Sequence, residues 1–388
     1  MRIFYHTPLK GPYHEVPSGD RTMARALADL LRRAGNSVHV IDAERKRGHV
    51  VPAEQQELAR HLARSRAQYW VNPALQESRR IVVKSPPELF LTYHLYYKRP
   101  DWIGPDAARN FGIPYVLAEA SYAPKRAGGP WDLGHRQVAL CIGAADLIFN
   151  FNPIDAQCVR PLMREDAELV EIPPFIFTKH YRAAAARRTT HRAAVARRHK
   201  LPKNTPLLLT VAMMRPGDKL ASYRILGQAL ARLLDRRWRL LVVGAGAAEK
   251  EVRAALKPIA RRVAYLGQYA PEKLPALYAA SDLYVWPSIN EAWGMTLLEA
   301  QASGLPVVAG RTGGVPNVVD DQKTGLLAPI GDARAFAAAV ATLLDAPERR
   351  QAMGEAASAY IARRHERAQV GRIVDAALRR TMARYKKP

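Results

Sequence analysis

The chain has 388 residues, 48% of them hydrophobic, with 59 Lys and Arg against 35 Asp and Glu and a net charge of +24. These values exclude a disordered chain and suggest two domains as the simplest partition. No run approaches the ~18 to 20 apolar residues of a membrane-spanning helix. The basic excess favours polyanions: nucleic acid, anionic lipid headgroups or phosphorylated small molecules. Arg outnumbers Lys and Ala is abundant, so part of that excess reads as compositional drift.

The opening MRIFYHTPLKGP has no apolar core and cleavage site of a signal peptide, and its RIFYH reads as a first strand. DRTMARALADLLRRAG has helical spacing and stops at Gly35, and NSVHVID is a second strand, making a βαβ start. Residues 43–80 are charged and irregular, with one helical piece around 53–69. ELFLTYH, GIPYVLAEA and DLIFNFN read as strands, with helices at 105–111 and in VALCIGAA between them. Such alternation predicts a parallel, doubly wound sheet. The stretch SYAPKRAGGPWDLGHRQ between two of these elements carries Lys125, Arg126, Trp131 and His135. It reads as a long loop, either a lid over a ligand cleft or a solvated connection.

EIPPFIF closes this half. Residues 182–200, RAAAARRTTHRAAVARRHK, contain seven Lys or Arg and no acid. They read as a basic helix, either a solvated linker or a patch for an anionic surface. The alternation then restarts with strands TPLLLTVAMM, RWRLLVVG, VAYLG, DLYVWPS, LPVVAG and TGLLAP, separated by helices. From Asp332 the chain is helical nearly throughout. The two halves echo each other in AADLIFN and ASDLYVW, and in GIPYVLAEAS and GLPVVAGRTG. Two related α/β sheets imply a ligand cleft between them.

Cys141 and Cys158 form no metal-ligand spacing and no disulfide framework. LLVVGAGAAEKEV supplies Gly244 and Gly246 of a dinucleotide fingerprint, but Glu249 stands at the third glycine position. A carboxylate there repels a pyrophosphate, so a tight strand-to-helix turn is favoured over an NAD site. In PSINEAWGMTLLEA the acids Glu291 and Glu299 flank a helix start. Backbone amides near Gly294, Met295 and Thr296 would form an anion site, and Gly294 permits close approach. Carboxylates suit hydroxyls, so the combination suits a diphosphate between two polyhydroxylated rings.

The pattern PS-x2-E-x-W-G-x3-LEA, followed by ASGLPVVA, Gly313–Gly314 and TGLLAPIGD, resembles the retaining glycosyltransferases of family 4. The likeness is dense from Leu240 to Gly354 and looser in the N-terminal half. It implies an α/β GT-B fold: two Rossmann-like doubly wound parallel-sheet domains facing across a cleft. The expected partition is an acceptor domain 1–178, a basic linker 179–203, a donor domain 204–365 and a terminal helix 366–388 that crosses back. The resemblance also implies roles. Glu291 contacts donor-sugar hydroxyls, Glu299 the ribose, and backbone at Gly294, Met295 and Thr296 the sugar and phosphate. Arg215 and Lys219 are the candidates for clamping the diphosphate, or else surface charge. Met213 stands where the family's arginine falls, and Asn317 where it often has a glutamate.

On the acceptor side, VPSGDRTMARAL resembles the family's glycine-rich loop, with Gly19 in place and Arg21 nearby. Alternatively it is a helix start capped by Ser18 or Asp20. His94 lies just past a strand end, where family members often have a histidine. Their second histidine is replaced here by Glu119 or Ser121. His94 and Glu119 are therefore both acceptor-side candidates, and one of them is open to a structural role. The function implied is transfer from a nucleotide-diphosphate sugar, UDP or GDP type, to a hydroxyl acceptor with retention, without metal. The acceptor class expected is lipid-linked or an envelope polysaccharide, at the cytoplasmic face of an inner membrane. The alternatives are an NAD-dependent Rossmann enzyme and a non-catalytic nucleic-acid binder. The second rests on charge alone.

Overall fold

The computed structural model describes residues 1–15, 18–41, 86–202 and 204–385. The expected helical piece at 53–69 lies outside them. The chain divides into two compact units, Met1–Pro173 with Ala368–Pro388, and Pro174–Arg367.

The first unit is built on strands β1 Arg2–His6, β2 Ser37–Ile41, β3 Leu89–Leu95, β4 Tyr115–Ala120, β5 Leu147–Asn150 and β6 Glu168–Glu171. Among the described residues before Pro173 its helices are α1 Gly19–Arg33, α2 Gly104–Phe111, α3 Asp132–Ala144 and α4 Pro153–Val159. All its strand pairs are parallel, in the order β2-β1-β3-β4-β5-β6. Phe90, Leu117 and Ile148 pack its core. The order reverses between β1 and β3, and in open α/β sheets ligands collect at the strand carboxyl ends beside such a point.

The second unit begins with α5 Lys179–Ala185 and α6 Arg188–Arg198. It continues β7 Leu207–Val211, α7 Asp218–Ala231, β8 Arg239–Val243, α8 Glu249–Ala255, β9 Val263–Gly267, α9 Leu274–Ala280 and β10 Leu283–Trp286. It ends α10 Met295–Ala302, β11 Val307–Gly310, α11 Val315–Val318, β12 Gly325–Ala328, α12 Ala333–Asp345 and α13 Pro347–Arg364. Its sheet is parallel throughout, ordered β12-β11-β10-β7-β8-β9, with the reversal between β7 and β10. β7, β10 and β11 are buried at every position, as strands covered by helices on both faces must be. The terminal helix α14, Arg367–Tyr385, groups from Ala368 onward with the first unit.

Two sequence expectations change here. Of the stretch 179–203, read as a linker, Lys179–Ala185 and Arg188–Arg198 are helices that group with the second unit. Arg188 and Arg192 on α6 both reach Asp282 at 2.6 Å and the carbonyls that end α9. The presumed lid 121–137 is shorter, because α3 starts at Asp132. His135 is buried on that helix and stacks on Tyr122 with ring centroids 4.4 Å apart. Helix α4 and strand β6 carry no strong periodicity. Asn152 caps α4 by accepting the Ile154 N–H, with Pro153 at the first helical position, a start signal legible in NPID.

Candidate functional site

In the second unit the loops after β7 and β10 meet at the sheet's reversal point. Lys219, in the first turn of α7, places Nζ 2.5 Å from Glu291 Oε2 and 5.5 Å from the centroid of Trp286, the last residue of β10. The cation is thus held between a carboxylate and an indole face. Asn290 Nδ2 donates to Asp218 Oδ2 at 3.1 Å, and the Ile289 N–H donates to Ser222 Oγ at 3.2 Å. These contacts lash the Glu291 loop to α7. Arg215 is exposed one turn before Lys219, and its carbonyl accepts the Leu220 N–H.

Gly294 is the N-cap of α10 at φ 65°, ψ 53°, a left-handed geometry that suits glycine. A Cβ there would stand 2.6 Å from Leu297 Cδ1. The N-cap Gly294 makes no side-chain hydrogen bond to the leading amides of α10. Thr296 Oγ1 accepts the Tyr284 hydroxyl at 2.8 Å. Glu299, on the same helix, accepts the Tyr278 hydroxyl at 2.7 Å and faces Tyr181. Burial raises the Glu299 carboxyl above its ordinary value, and the two tyrosines partly offset that.

The glycines flanking this site work through backbone proximity. Gly313 sits at φ 49°, and a Cβ on it would stand 2.2 Å from the Glu291 carbonyl oxygen. A Cβ on Gly314 would stand 1.9 Å from that of Ala292. Gly244 and Gly246 are used alike. Their missing Cβ atoms make room for the carbonyl oxygens of Ala212 and Met214, at 1.9 and 2.3 Å from the ideal Cβ positions. The G-x-G pattern therefore seats the loop that leads to Arg215 and Lys219. Glu249, its discordant third position, pairs with Arg253 at 2.8 Å.

In the first unit, β3 and β4 pair Tyr93 with Ala118 and Leu95 with Ala120. Between these pairs His94 and Glu119 both take positive φ, 61° and 62°. Two non-glycine residues facing one another in that region form a strained kink of the kind that gathers at functional sites. Nδ1 of His94 lies 4.0 Å from Glu119 Oε2 and 3.3 Å from Asp20 Oδ1. Burial disfavours the charged imidazole, but Glu119, Asp20 and Asp155 outweigh it and raise the His94 pKa. Asp20 is itself desolvated, yet His94 and Lys10 bring its pKa below the ordinary value. Ser121, the alternative to Glu119, donates to Asp155 Oδ1 at 3.2 Å.

The N-cap of α1 is Ser18, which accepts the Arg21 N–H at 3.2 Å. That leaves the Asp20 carboxylate to His94, a pairing the sequence reading did not assign. A Cβ on Gly19 would meet nothing within 4 Å, so open space stands over this helix start. Arg21 turns back to the carbonyls of His14 and Glu15, at 2.7 and 3.0 Å, and braces its own loop. Lys125 and Arg126 are exposed, and Arg126 lies 5.1 Å from the Tyr97 ring centroid.

Below this site Asp101 is wholly buried yet well partnered. It accepts from Thr92 at 2.5 Å, Tyr115 at 2.8 Å and the amides of Ile103 and Gly104 at 2.9 and 2.8 Å. This arrangement anchors the start of α2 to β3 and β4. Among the described residues no group of three or more His, Cys, Asp or Glu could hold a metal ion. No helix among them is long and apolar enough to cross a membrane.

Residues 205–346 match the family model "Glycosyl transferases group 1". A D-inositol 3-phosphate glycosyltransferase of Corynebacterium jeikeium (strain K411) is 41% identical over 157 residues, covering 38% of each chain. One of the same name from Streptomyces scabiei (strain 87.22) is 31% identical over 288 residues, 69% of this chain and 63% of its own length. The matches span about two fifths of the length of the first curated relatives, 39% for that of Corynebacterium glutamicum (strain R). Among solved structures, sucrose-phosphate synthase from Thermosynechococcus elongatus superposes with a TM-score of 0.75 at 20% identity, over 98% of this chain and 99% of that one. Anabaena Alr3699/HepE, solved in complex with UDP, gives 0.72 at 18% identity, over 97% and 99%. Residues 205–346 thus carry a match to the glycosyl transferases group 1 family, and the two parallel-sheet units have the GT-B-like fold of these solved structures.

Proposed function

We propose that this protein transfers a sugar from a nucleotide-diphosphate sugar to a hydroxyl acceptor with retention of anomeric configuration. The observation that carries the reading is the Lys219–Glu291 pair over Trp286, at the reversal point of the second sheet and beside the uncapped start of α10. A diphosphate competes with Glu291 for Lys219. Once Lys219 turns to the phosphates, Glu291 is left to accept hydrogen bonds from sugar hydroxyls. Arg215 and the amides at Gly294, Met295 and Thr296 add donors for the leaving charge, where preorganised donors act most strongly. Glu299, between Tyr278 and Tyr181, is assigned the ribose hydroxyls. No residue offers itself as a covalent nucleophile, so a front-face path suits the site, with the departing phosphate receiving the acceptor proton.

The donor is read as UDP-linked, since Alr3699/HepE is solved both with UDP and with UDP-glucose. The acceptor is assigned to the first unit at His94 and Glu119, and its class is read as lipid-linked or an envelope glycan. For contact with an anionic membrane surface at the cytoplasmic face, the candidates are the exposed Arg187, Arg197 and Arg198, because Arg188 and Arg192 are engaged by Asp282. The NAD alternative loses its motif, since Gly244 and Gly246 seat a neighbouring loop.

A thermal-shift panel of UDP, GDP, their sugars and NAD tests the reading. A shift with UDP or a UDP-sugar, none with NAD, and unchanged turnover in EDTA are expected. The absence of any nucleotide response would sink it.

A further inference from the structure

The sequence offers Ser18 or Asp20 as the cap of α1, and the structure uses Ser18. Asp20 instead directs its carboxylate across the helix start to His94, at 3.3 Å from Nδ1. Glu119 approaches the same nitrogen at 4.0 Å from the next strand. Three elements thus converge on one face of one imidazole: α1 through Asp20, β3 through His94 itself and β4 through Glu119. The kink that gives His94 and Glu119 positive φ angles brings those two together. Asp20 is the added partner, with its side chain 34% exposed beside the open space over Gly19.

We propose that Asp20 is a positioning residue for His94: with Glu119 it faces Nδ1 and favours the imidazolium, so that Nε2 is protonated too, donates a hydrogen bond and does not take the acceptor's proton. This deepens the transferase reading and rests on it for the identity of the bound group. The chemistry is restrictive. A carboxylate accepts and cannot donate, so the nitrogen facing two carboxylates is the protonated one. The remaining charged and titratable groups around the ring favour the same form. Asp155 contributes from α4, while Tyr93 and Tyr96 flank the ring and Lys10 acts on Asp20 rather than on His94. Tyr93 is kept protonated by burial and by the Glu119 charge. An imidazole carrying a proton on each nitrogen orients an acceptor oxygen through its lone pair. The acceptor's proton must then leave by another route, and the departing diphosphate is the base that the reaction itself supplies.

The test uses the full chain with ring-labelled histidine. His94→Gln identifies the His94 resonance, which is then titrated in the wild type, Asp20→Asn and Asp20→Glu. The His94 midpoint is expected to lie above 6.5 in the wild type, to fall in Asp20→Asn and to be restored in Asp20→Glu. With a UDP-sugar donor, kcat/KM should decline as pH rises through the His94 midpoint, and in Asp20→Asn that decline should move to lower pH. An unchanged midpoint in Asp20→Asn would overturn the proposal, as would a rate that rises as His94 loses its proton. UDP binding, read in parallel by thermal shift, reports on the second unit. Its absence would sink the transferase reading, while the titration would still decide whether Asp20 controls His94.

Discussion

Glu291 and Lys219 are 72 positions apart in the chain and 2.5 Å apart in the fold. Removing either should leave the other's charge without its partner in a half-buried site. Glu291→Gln should reduce turnover by about 10²- to 10³-fold, the usual scale for losing a group aimed at the transition state. UDP affinity should hold or rise, because Lys219 is released; steady-state kinetics with parallel calorimetry would show both. Gly244 makes a second residue-scale case. It takes φ 148°, and an added Cβ would stand 1.9 Å from the Ala212 carbonyl oxygen. Gly244→Ala should cost more than about 2 kcal/mol in denaturant unfolding. It should also weaken nucleotide binding, since the displaced segment leads to Arg215 and Lys219. The glycines were legible in the sequence but their use was not. A G-x-G reads the same whether a pyrophosphate or a neighbouring loop fills the space.

Among the elements, α6 is the one whose meaning changed most. Its arginines looked like one basic surface, but they divide by what they touch. Arg188 and Arg192 close on Asp282, and the Asp282 Oδ2 atom also accepts the Leu207 N–H at 2.7 Å where β7 begins. Burial lowers the Arg188 pKa, and the Asp282 charge works against that fall. Asp282→Ala should therefore destabilise the second unit by about 2 kcal/mol, since it strands two guanidinium groups and an amide at once. Liposome association should be untouched by Asp282→Ala. A triple Arg187, Arg197, Arg198→Gln variant should show the reverse: normal melting and weaker binding to anionic vesicles. Equal vesicle binding by that variant and the wild type would remove α6 as an anionic-surface patch.

For the whole molecule, the informative places are the two points where the chain passes between units, at Pro173/Pro174 and Arg367/Ala368. On the second-unit side these segments are stitched together. Ile176 N–H donates to the His365 carbonyl and Arg367 N–H to that of Ile176, each at 2.9 Å. His365 Nδ1 donates to the Pro174 carbonyl at 2.7 Å, while its Nε2 is buried with no hydrogen-bond partner. Burial lowers the His365 pKa from 6.5 to about 4. A histidine held neutral in the fold binds its proton first in the unfolded chain. Its contribution is complete above about 6.5 and is lost as pH falls towards about 4. The sum is about 3 kcal/mol for a shift of that size. His365→Gln should flatten the fall in stability between those two pH values. A slope equal to the wild type's in urea titrations would refute the assignment.

The sequence alone determined the α/β class, two parallel-sheet halves and the family pattern around Glu291 and Glu299. These are local properties: hydrophobic period, helix starts, glycine turns and the spacing of acids along one loop and helix. Only the tertiary structure decided which side chains share a contact. It chose Ser18 over Asp20 as a cap and so sent Asp20 to His94. It placed Trp286 under Lys219 and turned Arg21 onto its own loop. It also divided the arginines of α6 between a half-buried acid and the surface. The physical reason is the same in each case. A short-range preference names the residues able to make a contact, whereas the partner comes from another strand or helix that the sheet order brings alongside.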